Sequence, residues 1–358
     1  MPVNPCLLTI DLQAIRANYN YLKSLSSADV GAAVKANAYG LGSREVVGTL
    51  YAEGCSEFFV AHLEEAIELR SSFAEPNIYV LGGLFEGEER EFLHYNIIPV
   101  LSTGHQAELW QKYAQKLNKK LPCIVHADSG MHRFGMTEAE LQMTSTCAEL
   151  DVLYLMSHLA CADQADHEHN QYQLAKFKSH HHIFPKAKYS FANSSGIFLG
   201  SEFHFDLLRP GMALYGLNPT PGKPNPMKNP VTLTSQIMQI RQMADDGFVG
   251  YGAAHKAHRN SKIATIPIGY ADGFLRNLSH HGFVYIEGKR VPIIGRVSMD
   301  LVTLDVSDLD CKIGDRVEII GANSHPDDIA KRAGTIGHEI LTSLGSRYAR
   351  IYLDDKEK

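Results

Sequence analysis

A lysine stands at the end of a short apolar run near the N-terminus. In the stretch AAVKANAYGLGSRE, Lys35 follows Val34, and Tyr39 and a glycine-rich turn come after it. Most lysines are solvated surface charges, but the end of an apolar strand removes water from the ammonium group. Desolvation lowers the pKa of a lysine and makes its amine a better nucleophile. We therefore expect Lys35 to react with a carbonyl, and the aldehyde of pyridoxal phosphate is one such carbonyl.

A phosphate-bearing cofactor also needs hydrogen-bond donors for its phosphate. Two later segments supply them: ANSSGIF carries Ser194 and Ser195, and RPGMALYG carries Gly211. Small hydroxyls and backbone N–H groups at the start of a helix bind phosphate well. We predict that these two segments form the phosphate site.

The first two thirds of the chain alternates apolar runs with amphipathic helical patterns. In IDLQAIRANYNYLKSL, for example, Asp11 is the expected N-cap of a helix. Eight such strand–helix units favour a (β/α)8 TIM barrel, although a doubly wound sheet would give the same alternation. The barrel is preferred because residues capable of chemistry stand where the apolar runs stop, and catalytic residues lie at that end of barrel strands. These residues are Lys35, Asp128, Arg133, His158, Asn193, Ser194 and Arg209.

A proline-rich segment, NPTPGKPNPMKNP, interrupts this pattern at residues 218–230. The sequence beyond it is rich in short β patterns separated by turn residues. We predict two domains: a barrel over residues 1–228 that binds pyridoxal phosphate, and a mostly β domain over residues 229–358.

Composition excludes several classes of partner. The net charge of −6 is spread along the chain, which argues against a nucleic-acid surface, and no apolar stretch is long enough for a transmembrane helix. The six scattered cysteines are typical of reduced thiols in a cytoplasmic protein. The SHHHIF segment is not expected to bind metal, because three consecutive helical histidines point in different directions.

Several sequence motifs along the chain resemble those of a known family. AVKANAYGLG resembles the pyridoxal-lysine signature of alanine racemases of the bacterial, fold type III class. ADSGMHRFG, MSHLACAD, ANSSGIF, LRPGMALYG, VGYGAAH, IPIGYADGF and GRVSMDLVTLDV follow in the order that the family shows. The resemblance runs from about residue 5 to about residue 352 and implies an amino-acid racemase, an isomerase, with pyridoxal 5'-phosphate as its cofactor.

Racemisation needs two acid–base groups on opposite faces of the cofactor. The resemblance implies that Lys35 binds the cofactor and is the base for D-alanine, and that Tyr251 is the base for L-alanine. His158 and Arg209 match the network beneath that tyrosine. In the family an arginine faces the pyridine nitrogen, and we expect Arg209 to favour reprotonation over transamination for this reason.

The resemblance implies further roles around the cofactor and the substrate. Arg133 matches the residue that holds the cofactor's phenolic oxygen and the substrate carboxylate, and the backbone N–H of Met299 reaches the same carboxylate. The expected phosphate ligands are Tyr39, Ser194, Gly211 and Met212, and the expected supporting residues are Asn193, Tyr270 and Asp300. Family sites lie at a homodimer interface, so the C-terminal domain of one chain is expected to complete its partner's site. The implied role is supply of D-alanine for peptidoglycan.

Three positions depart from the family pattern. His126 stands where many relatives have a carbamylated lysine that positions the arginine, so Arg133 must be oriented in another way. Ser298 stands where many relatives have cysteine. Ser346, not a tyrosine, stands immediately before Arg347, where some relatives place a tyrosine that binds phosphate, and Tyr348 is an alternative.

Other functions remain open alternatives. A decarboxylase of basic amino acids shares the two-domain plan, but Arg209 and Tyr251 argue against it. A non-catalytic pyridoxal-phosphate carrier lacks the β domain found here. A further alternative is a racemase of broader specificity, and the width of the entrance near Tyr270, Arg276 and Met299 would decide between it and a dedicated alanine racemase.

Overall fold

The computed structural model describes residues 4–354, and they divide into two compact units. One unit comprises residues 15–38 and 42–228, and the other comprises residues 4–14, 39–41 and 229–354. Residues 4–14, predicted from the sequence to belong to the barrel, group in the structure with the C-terminal part of the chain. The assignment of separate functions to residues 1–228 and 229–358 stays a prediction.

The larger unit contains the parallel strands of a barrel. Its strands are Asp29–Val30, Ala32–Ala33, Glu57–Val60, Asn77–Val80, Ile98–Leu101, Leu121–His126, Leu150–Met156, Lys188–Ser190 and Leu207–Leu208. The first two form one strand interrupted at Gly31. Backbone hydrogen bonds from Gly31 to Leu208 and from Arg209 to Ala192 close the ring. All four residues of Ile98–Leu101 are buried, as expected for a strand covered on both faces.

Helices alternate with these strands. They are Leu12–Ser24, Ser43–Ala52, Leu63–Ser72, Glu89–His94, Gly104–Leu117, Glu138–Ser145 and His169–Ser179. Asp11 has the predicted N-cap role, because its carboxylate accepts the N–H groups of Gln13 and Ala14 at 2.9 and 3.0 Å. Thr103 caps the helix Gly104–Leu117 in the same way, through the N–H of Gln106.

The smaller unit is built on a nine-stranded, mainly antiparallel sheet. Along the sheet the strands are Gln239–Gln242, Lys262–Ile266, Val302–Asp305, Lys289–Ile294, Phe283–Ile286, Arg316–Ile320, Val231–Gln236, Leu7–Asp11 and Ala349–Leu353. A separate hairpin pairs Gly247–Val249 with His255–Ala257, and two helices, Pro326–Ala333 and Gly337–Thr342, complete the unit. The predicted fold class, a (β/α)8 barrel followed by a mostly β domain, is confirmed. None of the helices between residues 4 and 354 has the length and apolar character needed to cross a membrane.

Candidate active site

Lys35 ends the first barrel strand and is followed by a turn of unusual handedness. Ala36, Asn37 and Ala38 have φ of 53°, 54° and 52°, with ψ near 50°, so the backbone here is left-handed. Left-handed backbone costs about 1–2 kcal/mol per non-glycine residue, and such strain persists only where surrounding contacts impose it. The side chain of Asn37 contributes one of these contacts by accepting the N–H of Ser43 at 2.7 Å.

The pKa of Lys35 is lowered from its ordinary value. Burial is the largest cause, the positive charge of Arg133 adds to it, and Glu65 opposes both. A lower pKa increases the fraction of neutral amine near neutral pH, and the neutral amine is the form that attacks a carbonyl or accepts a proton. The nucleophilic lysine expected from sequence thus has an environment that favours that chemistry.

A buried cation lies in the same barrel unit. Arg209 is 6% exposed, and its guanidinium donates to Ser190 Oγ and to the backbone carbonyl of Ser157. Burial lowers the pKa of Arg209 to about 9, which still leaves the side chain charged at neutral pH. The two hydrogen bonds therefore fix a positive charge inside the barrel.

Two histidines beside Arg209 are neutral. Burial, followed by the charge of Arg209, lowers the pKa of His126 to about 3 and that of His158 well below its ordinary value. The ring of His126 is also joined to Ser102, whose Oγ lies 3.2 Å from His126 Nδ1. Within residues 4–354 the ring of His158 makes no hydrogen bond, so its interaction with Arg209 is electrostatic. A neutral imidazole can donate one hydrogen bond and accept another.

Arg133 is exposed and makes no hydrogen bond to another residue of the described chain. Its charge nevertheless contributes to the low pKa values of Lys35, His126 and His158, so it lies close to all three. An unpaired guanidinium near a buried amine is a site where an anion would be stabilised. A carboxylate or a phenolate fits this position.

The predicted phosphate site is organised around a buried serine. Ser194 is 4% exposed, and its Oγ accepts the N–H groups of Gly211 at 2.9 Å and Ala213 at 3.2 Å. The N–H of Met212, between them, has no acceptor among residues 4–354. Asn193 shapes the preceding turn, because its Oδ1 accepts the N–H of Gly196 at 2.9 Å. Backbone donors and a hydroxyl that two neighbouring segments bring together suit a phosphate oxygen.

In the smaller unit, Tyr251 stands at the turn of the hairpin. It is 72% exposed and is flanked by Gly250 and Gly252, which have φ of 74° and 69°. The guanidinium of Arg296 lies 3.0 Å from where a Cβ on Gly252 would be, so only glycine fits there without displacing this charge. The turn therefore projects a tyrosine into solvent beside an arginine.

Arg347 joins the loops that carry Tyr270, Met299 and Asp300. Arg347 Nε donates to Asp272 Oδ1 at 2.6 Å, and its Nη1 donates to Asp300 Oδ1 at 2.8 Å. Asp272 in turn accepts the N–H of Gly269, and the N–H of Tyr270 bonds the carbonyl of Ser298 at 3.1 Å. The three loops that contain residues 269–273, 298–301 and 343–347 are held together by these bonds.

The two candidate tyrosine ligands of phosphate differ in environment. Tyr39 is buried, its ring lies 5.8 Å from that of His338, and burial raises its pKa to about 12, which keeps its hydroxyl a donor at neutral pH. Tyr348 is 5% exposed among apolar side chains that include Leu233 and Ile319. Its hydroxyl has no hydrogen-bond partner in the described chain.

The barrel unit thus brings together four of the predicted residues through their mutual electrostatic effects: Lys35, Arg133, His158 and Arg209. Ser194, Gly211, Met212 and Asn193 form a second group in the same unit, while Tyr39, Tyr251, Tyr270, Met299 and Asp300 belong to the other unit. This donor set fits pyridoxal phosphate: an amine of lowered pKa for the aldehyde, a loop N–H without an acceptor for the phosphate, and a fixed guanidinium.

Glu65, Ser102 and Arg347 were not among the functional residues predicted from the sequence. Glu65 is the third residue of the helix that begins after His62, and a glutamate at that position commonly bonds the N-cap N–H, so this spacing was a usable signal. Ser102 and Arg347 had no local signal, because their partners His126, Asp272 and Asp300 are distant in the sequence.

Comparison with known proteins covers nearly the whole chain. Residues 10–219 match the family model "Alanine racemase, N-terminal domain", and residues 230–352 match "Alanine racemase, C-terminal domain". The chain is 49% identical over 342 residues to an alanine racemase of Rickettsia bellii, covering 93% of this chain and 83% of that protein. It is 46% identical to one of Rickettsia akari, over 98% of this chain and 99% of that protein.

Solved structures agree with these sequence relatives. The crystal structure of alanine racemase from Bartonella henselae with covalently bound pyridoxal phosphate is 43% identical, with a TM-score of 0.94 over 98% of this chain and 100% of that one. The biosynthetic alanine racemase from Pseudomonas aeruginosa is 36% identical with a TM-score of 0.92, again over 98% of this chain and 100% of that one. The resemblance inferred from the motifs is thereby confirmed. This chain belongs to the alanine racemase family.

Proposed function

We propose that this protein interconverts L-alanine and D-alanine with pyridoxal phosphate as its cofactor. The observation that carries the proposal is Lys35, a partly buried lysine of lowered pKa at the end of a barrel strand, close to Arg133 and His158. The relatives named alanine racemases, one of them with pyridoxal phosphate bound covalently, support the same reaction.

Each candidate residue of this chain has one role in the proposed reaction. When bound, pyridoxal phosphate supplies an electron sink that makes the α-proton of an amino acid acidic. Lys35 Nζ removes or returns the proton on one face, and Tyr251 Oη does so on the other. Arg133, with the backbone N–H of Met299, holds the substrate carboxylate. Ser194, Gly211, Met212 and Tyr39 hold the phosphate.

Arg209 and His158 set the electrostatics of the site. Arg209 is fixed as a cation by Ser190 and Ser157, and it is assigned to the pyridine nitrogen. A cation there cannot accept a proton from that nitrogen, so the electron sink is weaker than one facing a carboxylate. We expect fast reprotonation of the α-carbon to follow, with little transamination.

The second base is assigned to a second copy of the chain. Tyr251 and Met299 are 72% and 52% exposed, and the apolar side chains Phe248 and Leu301 near them are also exposed. The hairpin and the loop after residue 294 are adjacent, because a Cβ on Gly295 would lie 3.0 Å from the carbonyl of Val249. Exposed apolar groups concentrated on neighbouring loops are typical of an interface, and a homodimer with shared sites would use them.

The physiological assignment follows from the reaction. D-alanine is a component of peptidoglycan, so we place this enzyme in the cytoplasm as its supplier. The alternative is a racemase of broader specificity. Tyr270, 44% exposed on a loop tied to Met299 by backbone bonds, is the residue whose position would decide the size of the accepted side chain.

The test uses the purified full-length protein incubated with pyridoxal phosphate. We expect a visible absorbance band, borohydride reduction that fixes the cofactor on the Lys35 peptide in mass spectrometry, and loss of circular dichroism as L-alanine becomes a racemic mixture. Faster loss with L-serine or L-lysine than with L-alanine would favour the alternative. Cofactor on Lys35 without racemisation of any of the three would refute the proposed reaction.

A further inference from the structure

The left-handed turn after Lys35 is bonded to a carboxylate from the next strand–helix unit. Glu65 Oε1 accepts the N–H of Ala36 at 2.6 Å. Ala36 is the first residue of left-handed conformation and the immediate neighbour of Lys35. A charged acceptor makes the stronger kind of hydrogen bond, so this contact restrains the peptide that fixes the direction of the Lys35 side chain.

The second oxygen of the same carboxylate is also used. Glu65 Oε2 accepts the N–H of Ala61 at 2.7 Å and that of His62 at 3.3 Å. These two N–H groups belong to the end of the second barrel strand and to the N-cap of the helix that follows. One side chain therefore joins the ends of two adjacent barrel strands.

Helix capping alone does not explain this arrangement. A capping glutamate needs one oxygen for the N-cap N–H, and glutamine performs that role as well. Here each oxygen accepts N–H groups from a different segment of the chain. A glutamine would turn its NH₂ group toward one set of donors, because it has only one acceptor oxygen. The geometry thus requires a carboxylate.

Glu65 also affects the charge of Lys35 without pairing with it. It opposes the effects of burial and of Arg133 on the lysine. No ion pair joins the two side chains within residues 4–354, so the amine of Lys35 is not held in a salt bridge. The carboxylate reduces the positive potential at the amine and so limits how far burial and Arg133 lower the pKa of Lys35.

We propose that Glu65 is the positioning residue for Lys35: its carboxylate holds the left-handed turn that directs the lysine and balances the positive charge of Arg133. This inference rests on the proposed role of Lys35 as the cofactor-binding lysine. It assigns to Glu65 two separable effects, one geometric and one electrostatic.

The experiment compares three variants of the full-length protein stripped of cofactor and then given pyridoxal phosphate. In Glu65→Gln, the rate of covalent attachment to Lys35 is measured against pH by absorbance. We expect the plateau rate to fall by roughly tenfold or more, because misplaced reacting groups lose rate steeply. We also expect the midpoint of the curve of rate against pH to move to lower pH, because loss of the negative charge lowers the pKa of Lys35.

The other variants separate the two effects. Glu64→Gln is the matched control: it removes the same charge from the same helix turn, from an exposed side chain. It should keep the wild-type plateau and midpoint. Glu65→Asp keeps the charge but shortens the side chain, so the plateau should fall while the midpoint stays near that of the wild type. If Glu65→Gln does not fold, the plateau rate of Glu65→Asp tests the geometric effect: a rate equal to that of the wild type would overturn it.

The outcomes distinguish this inference from the proposed function. If borohydride places no cofactor on Lys35 in the wild-type protein, the proposed function fails and the inference fails with it. If the wild type is loaded on Lys35 but both Glu65 variants match Glu64→Gln in plateau and midpoint, only the inference is overturned. A lower plateau in Glu65→Gln with an unchanged midpoint would overturn its electrostatic part.

Discussion

In the proposed reaction Lys35 exchanges the α-proton on one face of the substrate's α-carbon, and Tyr251 exchanges it on the other face. The role of Tyr251 can be tested apart from that of Lys35. Tyr251→Phe removes the hydroxyl from an exposed side chain, so the fold should be retained. We expect racemisation to fall by about 10²–10⁴-fold, the usual loss for a general acid–base group. In deuterium oxide the variant should still exchange the α-proton of D-alanine through Lys35, whereas L-alanine should not exchange.

Proton NMR of each enantiomer measures this exchange. Tyr21→Phe, at an exposed tyrosine of the barrel unit, is the control and should behave as wild type. Equal exchange of both enantiomers by Tyr251→Phe would show that Tyr251 is not the base for L-alanine.

The neutral state of His126 predicts a dependence of stability on pH. Burial and Arg209 lower its pKa to about 3, whereas a histidine in an unfolded chain has a pKa of about 6.5. Between these values the unfolded chain binds more protons, so the free energy of unfolding falls as the pH falls. The stabilisation is complete above about pH 6.5 and is lost progressively toward pH 3, with a slope of at most about 1.4 kcal/mol per pH unit for one group.

His126→Asn tests this prediction, because asparagine does not titrate and its amide can still bond Ser102. Urea unfolding at pH 7 and pH 5 should show a shallower loss of stability in the variant than in the wild type. An identical loss in both proteins would mean that His126 does not titrate as its burial implies.

At the scale of elements, the strain of the left-handed turn after Lys35 should be measurable as a change in the free energy of unfolding when Ala36 is replaced by glycine. Ala36 is exposed with a φ of 53°, a conformation that glycine adopts without steric cost. We expect Ala36→Gly to raise the free energy of unfolding by about 0.5–1 kcal/mol, the left-handed cost less the added entropy of glycine in the unfolded chain. Ala139→Gly, at an exposed right-handed position in the helix Glu138–Ser145, should lower it by about the same amount.

Thermal and urea unfolding of the two variants measure these changes. Destabilisation by both substitutions would contradict the strained conformation assigned to Ala36.

The elements differ in how far sequence could predict them. The helix Leu12–Ser24 was predictable, because Asp11 and the apolar spacing that follows are local signals. The pairing of strand Leu7–Asp11 with Val231–Gln236 and Ala349–Leu353 was not, because it joins segments more than 200 residues apart. The left-handed turn was equally hidden: Ala36, Asn37 and Ala38 include no glycine, and their conformation is imposed by contacts such as that from Glu65.

The candidate site shows the same division. Lys35, Arg209 and Ser194 stand where strands end, so residue type and position identified them. The state of His126 depends on the buried charge of Arg209, which lies 83 positions later in the chain, and so required the fold. Tyr251 was predicted as a base only from the resemblance to the family. Nothing in its local sequence pattern distinguishes it from an ordinary exposed tyrosine.

At the scale of the whole molecule, each site in the proposed homodimer takes Lys35 from one chain and Tyr251 from the other. Lys35→Ala and Tyr251→Phe should each be nearly inactive as pure proteins. A hybrid dimer of the two would contain one complete site, built from the Lys35 of one protomer and the Tyr251 of its partner. The other site of that dimer would lack both bases.

The most direct measurement mixes the two variants in equal amounts under mild denaturant, restores native conditions and follows L-alanine by circular dichroism. Native mass spectrometry confirms that hybrids have formed. With random pairing, half of the dimers are hybrids with one working site, so activity should recover to about a quarter of the wild-type value. Hybrids that form and show no more activity than the parent variants would contradict a site shared between Lys35 and Tyr251 of different chains.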